Sequence, residues 1–369
     1  MKGYKGFNSD WTCLGMQYKV GETYEMKEKP IVCEKGFHFC EYPLDVFRFY
    51  KPIEQDFNSG NLNVKKYAKV ESLGDVVKEC YETSKCCTNK IKIESEMDYK
   101  DIINDSIKCI EESIKSKNVT PQIKNSNECG KAISYNLYDY SKSVNTSSGS
   151  SISANIGDNS ASFTYCTNTI AANTGDHSYS GNYMPAISRN SSSISANTGM
   201  YSISLTNDSC SISSTTGDFS VSYSLHGDRN ISASTGNYSI SHSEGFESIS
   251  ANVGREGISY TEKSSSISVT TGSNGISYNT GEEGIAIANG THGIASVESK
   301  SKSSSVSISL GLFGMAKGNL GSWLVLADWD KDEHGKLYRS AVKSFLVDNV
   351  KVKENTLYTL ENGELKEVM

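Results

Sequence analysis

Apolar residues recur at a fixed interval through the middle of the chain. From Ser193 the sequence reads Ser-Ile-Ser-Ala-Asn-Thr-Gly-Met-Tyr, then Ser202-Ile-Ser-Leu-Thr-Asn-Asp-Ser-Cys, then Ser211-Ile-Ser-Ser-Thr-Thr-Gly-Asp-Phe. The anchors run Ile194, Ile203, Ile212, Val221, Ile231, Ile240, Ile249, Ile258, Ile267, Ile276, Ile285 and Ile294, nine residues apart except for one step of ten at Arg229. Ile152, Ala161, Ile170 and Tyr179 precede them, before an interruption over 181–190 that carries Pro185. Ser-Ile-Ser-x alternates apolar and polar with the period of a strand. Isoleucine and the residue two further on (Ala196, Leu205, Tyr223, Val269, Ile287) are expected to face inward, with the serines outside.

A second period lies over the first. Gly157, Gly175, Gly199, Gly217, Gly236, Gly254, Gly272 and Gly290 recur mostly every 18 residues. Alternate nine-residue units are therefore more alike than neighbours, which predicts an 18-residue coil with two strand sides. Asn-Thr-Gly and Thr-Thr-Gly read as corners, because Gly and Asn tolerate positive φ. Stacked coils bury what one coil cannot. The fold class expected is mainly β: a β-solenoid of 18-residue (2 × 9) coils, about nine of them and ~45 Å long at strand spacing, with an α+β N-terminal domain and a C-terminal β cap. Disorder offers no reason to keep isoleucine in register. A calcium-binding nonapeptide roll needs carboxylates at each turn, and most units lack them.

Composition fits this picture. Only 36% of the 369 residues are hydrophobic, against ~45–50% in ordinary globular chains, and residues 191–250 hold 20 serines. A narrow two-walled solenoid needs few apolar residues per coil. Residues 143–309 carry 6 Lys and Arg against 12 Asp and Glu, a net of −6 out of −7 for the chain. A mildly acidic solenoid disfavours nucleic acid as a partner. No apolar run is long enough to span a membrane, and the first residues lack a signal-peptide core, so a cytoplasmic location is expected, or association with a virion. Eight of ten cysteines precede residue 130, which marks that part as separate and, without a leader, as thiol-bearing. The boundaries expected are 1–128 for an α+β head, 129–309 for the solenoid and 310–369 for the cap.

In the head, 43–50 and 97–115 read as helices, the second with Ile102, Ile103, Ile107 and Ile110 on one face. Residues 34–40, 67–71 and 88–93 read as strands. In the cap, strands are expected over 323–329, 338–347 and 350–358. Tyr4-Lys-Gly-Phe, Tyr18-x-Val-Gly-x-x-Tyr24, Cys33-x-x-Gly-Phe-His-Phe-Cys40 and Pro43-Leu-Asp-Val together resemble an N-terminal domain of unknown function. That domain occurs in bacterial and phage proteins, followed by Ser/Gly-rich repeats and a short closing β segment. Trp323-Leu-Val-Leu-Ala-Asp-Trp329 looks like that closer. The resemblance implies an architecture and no activity. A weaker likeness is to the ADP-ribosyltransferase fold, with Tyr4-Lys5-Gly6 in its first strand. Lys5 stands there for arginine, the Ser-Thr-Ser hydroxyls are missing, and Glu94 and Glu96 are the nominal candidates for its glutamate, so that likeness implies lost catalysis.

Candidate chemistry is sparse. Cys33 or Cys40 is a candidate nucleophile with His38 as its base, residues 38 and 40 sharing a strand face, and Tyr4 is a further catalytic candidate. Cys33, His38 and Cys40, with Cys86 and Cys87, lack the paired hooks of a zinc site, so no metal and no cofactor is expected. His177, His226, His242 and His292 read as solvated. Ser193, Ser195, Ser211, Ser213, Ser248 and Ser250 would form outward hydroxyl rows able to meet ice or glycan. The expected role is a structural or interaction protein with a protein partner or a second copy of itself. The alternatives are a ligand-binding or enzymatic head multimerised by the solenoid, and hydroxyl-array recognition.

Overall fold

The computed structural model describes residues 1–55, 62–78, 84–116, 132–145, 151–165, 169–182, 192–207, 209–225, 227–299 and 304–368. Pro185, His226, Cys80 and Cys129 lie outside them. The chain forms two compact units, the first ending at Glu112 and the second beginning at Ser113.

The first unit is α+β. Its elements are β1 (Lys2–Phe7), β2 (Thr12–Cys13), β3 (Met16–Gln17), β4 (Thr23–Glu25), β5 (Phe37–Cys40), α1 (Val46–Phe49), β6 (Ile53–Gln55), β7 (Leu62–Val64), β8 (Lys66–Ser72), β9 (Val76–Lys78), β10 (Lys85–Thr88), β11 (Lys90–Met97) and α2 (Tyr99–Ser116). Seven of the strands make one sheet in the order β4-β11-β8-β1-β5-β10-β9. A core of Phe7, Phe37, Phe39, Ala68, Val70, Ile91 and Ile93 packs beneath it. Ile102, Ile103, Ile107 and Ile110 of α2 are all buried, as their helical spacing requires. The helix expected over 43–50 shortens to one turn, because Pro43–Asp45 form the turn that leads into it.

The second unit is the β-solenoid, about nine coils of some 18 residues. Each anchor from Ile194 to Ile294 opens a four-residue strand. Successive strands alternate between two sheets, and each pairs in parallel with the strand one coil away, Ile194 beside Ile212 and Ile203 beside Val221. The extra residue at Arg229 is absorbed in a corner, and the register resumes at Ile231.

The inside of the solenoid reverses the orientation expected in the first sheet, whereas in the second the isoleucines are buried along with the serines. Serines fill the inside. Ser204 Oγ donates to Ser195 Oγ at 2.9 Å, and Ser213 Oγ donates to the Ser204 carbonyl at 2.7 Å. The zipper continues with Ser250 onto the Ser241 carbonyl and Ser259 onto the Ser250 carbonyl, both at 2.6 Å. A hydroxyl that reaches the facing sheet's backbone leaves no room between the sheets for isoleucine. In the first sheet (Ile194, Ile212, Ile231, Ile249) the isoleucines stand outside and are 38–41% exposed. In the second, Ile203, Val221, Ile240 and Ile258 are buried.

The corners also differ from expectation. Of the eight glycines of the 18-residue series, only Gly157 has positive φ. Glycine is needed for close approach instead: a Cβ on Gly217 would stand 2.0 Å from the Gly199 carbonyl oxygen, and one on Gly254 1.8 Å from that of Gly236. The left-handed residue comes two places later and is bulky: His177, Tyr201, Phe219 and Tyr238 have φ between 51° and 56°. Their rings stack coil on coil at 5.0–5.2 Å. Stacking offsets the ~1–2 kcal/mol that a left-handed non-glycine residue costs.

The sheets continue into the C-terminal strands. Trp323–Lys331 pairs in parallel with Val306–Ser309 and antiparallel with Leu337–Leu346. Tyr358–Glu361 pairs antiparallel with Met315–Gly318 and with Glu364–Glu367. Leu324, Leu326, Val347, Val352 and Leu360 form the core there. The strand expected over 350–358 is instead a loop up to Leu357, because Asp348 Oδ1 accepts the N–H groups of Val350, Lys351 and Val352. No helix among the described residues is long and apolar enough to cross a membrane.

Candidate functional site

The first unit contains a cleft of about 330 Å³ whose lining includes Tyr4, Lys5, Gly6, His38, Cys40 and Lys85. Its origin is a split in the sheet. β1 and β5 are in register only at Tyr4 opposite Cys40, so they part towards Phe7 and Phe37. Lys5 reaches across the split. Its Nζ donates to the His38 carbonyl at 2.9 Å and to Cys13 Sγ at 3.3 Å. Phe7 and Tyr18 hold the ammonium from the core side, with ring centroids at 5.5 and 5.4 Å. Tyr50 walls the cleft and donates to Cys13 Sγ at 3.0 Å. Its ring lies directly against β1, where a Cβ on Gly6 would come within 2.5 Å of it. At the mouth, Lys85 Nζ donates to Cys33 Sγ at 3.0 Å and lies 4.9 Å from the Phe49 ring centroid. Val46, Leu14 and Phe39 complete the apolar wall.

The sequence candidates Tyr4, His38 and Cys40 thus meet at one site. Their chemistry is not that of a nucleophile and its base. Burial, followed by the nearby Asp45 charge, pushes the Cys40 thiol well above its ordinary range. His38 Nε2 accepts the Cys33 N–H at 3.0 Å. Burial, then the charges of Cys109 and Asp105, also push the Tyr4 hydroxyl up, and that hydroxyl donates to Asp105 Oδ2 at 3.3 Å. Cys86 is pushed up to about 11 by burial first and Glu41 second. These are protonated thiols at neutral pH. Among the described residues, no carboxylate lines the cleft. Glu96 pairs with Lys66 on a strand two places from β1, and neither it nor Glu94 lines the cleft. The arrangement suits binding. Lys5 was the residue sequence reasoning passed over; a lysine inside an apolar strand pattern was the signal.

The serine candidates are not at a surface. Ser193, Ser195, Ser211, Ser213, Ser248 and Ser250 are 0–1% exposed, inside the zipper and its corners, so they present no hydroxyl row to ice or glycan. His242, read as solvated, is buried in a ring ladder between Tyr223 and Tyr260, at 4.6 and 4.5 Å. Its Nε2 lies 3.3 Å from Glu262. Among the described residues, His242, Glu244 and Glu262 form a group of metal-ligating type. The same ladder explains them without an ion: Tyr223 donates to Glu244 and Tyr278 to Glu298, one coil on in each case.

Residues 1–105 match a family described as a domain of unknown function (DUF7666). The matched stretch contains every cleft residue named above and none of the solenoid. No curated protein and no solved structure matches the chain.

Proposed function

We propose that the protein is a binding protein with two parts: an N-terminal domain that takes a small molecule in the β1–β5 cleft, and a solenoid that serves as a rigid structural module. The cleft is the observation that carries this reading. Its volume is at the small end of ligand pockets, and its wall is mainly apolar with a few convergent polar groups. The raised Cys40 thiol and the engaged His38 favour recognition over covalent chemistry. A thermal-shift screen of the full chain against small organic acids, amines and nucleosides tests it. A ligand raises the unfolding temperature by mass action, and Val46→Phe, which fills the cleft, is expected to abolish that shift. Hits that survive Val46→Phe, or no hits at all, would remove the cleft as the binding site.

The expectation of a second copy as partner rests on a different observation. The outer isoleucines of the first sheet, one per coil, form an exposed apolar row. Two such rows of equal spacing are self-complementary. Light scattering of the full chain and of Ile212→Lys/Ile231→Lys distinguishes the cases: a dimer that becomes monomeric supports the row as the interface, and a monomeric parent refutes it.

A further inference from the structure

We propose that the ligand of the cleft carries one anionic group, a carboxylate or a phosphate, that pairs with Lys5, on an apolar body; this rests on the reading of the cleft as a binding site. Lys5 is 4% exposed, and its hydrogen bonds go to the His38 carbonyl and the Cys13 sulfur, neither of them a carboxylate. An ammonium has three donors, and its burial is costly unless a counter-charge is present. Among the described residues, no carboxylate is within ion-pairing distance of it. The nearby Asp45 is turned away, with Oδ2 accepting the Ser84 N–H at 2.8 Å and the Ser84 hydroxyl at 2.6 Å. Lys85 adds a second ammonium at the mouth, on Cys33 and Phe49. Among the described residues, two cations and no carboxylate line this mainly apolar space. An anion with a hydrocarbon or aromatic body would meet the third Lys5 donor while its body covers Val46, Leu14 and Phe49.

Isothermal titration of the full chain with benzoate and phenyl phosphate, beside uncharged benzamide and benzyl alcohol, tests this. At least one anion is expected to bind saturably and at least tenfold more tightly than the uncharged pair. Lys5→Met is expected to remove that preference, so that the anions bind no more tightly than the uncharged pair. A response to one anion alone tells carboxylate from phosphate. If Lys5→Met does not fold, the Lys5 side-chain NMR signal of the parent protein serves instead: it must shift on adding the anion and not on adding benzamide. Uncharged probes binding as well as anions would overturn the proposal and leave the cleft reading standing. An anion preference that survives Lys5→Met, or an unmoved Lys5 signal, would overturn it too. No binding by any of the four would count against both readings.

Discussion

Asp105 ties three elements of the first unit together through one carboxylate. It accepts from Tyr4 of β1, and pairs with Lys69 of β8 at 2.6 Å and with Lys108 of its own helix at 3.0 Å. Burial opposes its ionisation, yet the hydrogen bonds and charges of the two lysines hold its carboxyl below the ordinary range. A carboxyl lowered in the folded state contributes stability that is full above the unfolded value of about 3.9 and is lost as pH falls through the folded one. Urea unfolding of Asp105→Asn is expected to show about 1–2 kcal/mol lost at neutral pH, a loss moderated because both lysines remain partly in water. The difference from the parent is expected to narrow below about pH 4. A difference that does not change with pH would mean that the carboxylate's charge contributes nothing.

The strand is the scale at which the sequence was legible in one respect and misleading in another. Nine-residue spacing located each strand from Ile194 to Ile294, and the 18-residue glycine series identified the coil. Alternation does not say which face is inside, because Ile and Ser alternate with the same period. The distance between sheets decides it, and serine permits a closer approach than isoleucine. Ser250→Ala is accordingly expected to cost about 1 kcal/mol for a lost hydrogen bond. Ser250→Val should cost more, by about 1–3 kcal/mol of overpacking; chemical denaturation that finds Ser250→Val neutral would place the residue outside. His242→Tyr should be tolerated, since Tyr223, Tyr260 and Tyr278 hold the same ladder position. His242→Leu should lose about 1 kcal/mol with the Glu262 bond, read by the same denaturation. The cleft was legible in its residue types but not its mode of action: Tyr4, His38 and Cys40 stood out by their chemistry, whereas the split that brings them to one cleft depends on how far β1 and β5 pair.

Across the whole molecule, the unit that can be added or removed is the coil and not the nine-residue repeat. Deleting 249–266 brings Ile267 to the place of Ile249, in the same sheet, and the pairing with Ile231 can re-form. Deleting 249–257 brings Ile258, whose second-sheet strand carries the half-buried Tyr260, to the first sheet and inverts every later coil. Nearest-neighbour stability therefore predicts that the first variant keeps a cooperative transition by circular dichroism. The second should unfold at markedly lower denaturant; equal behaviour would show the two sheets to be interchangeable.

The serine interior has a thermal consequence. Exposing apolar surface raises the heat capacity on unfolding, at about 0.45 cal/K/mol/Å², and exposing polar surface lowers it, at about 0.26. A solenoid whose two sheets meet through hydroxyls and carbonyls releases a more polar surface than an aliphatic core does. Its heat-capacity increment should fall below the usual ~12–15 cal/mol/K per residue. A smaller increment flattens the curve of stability against temperature, so the solenoid should hold nearly the same stability from the cold to well above ambient.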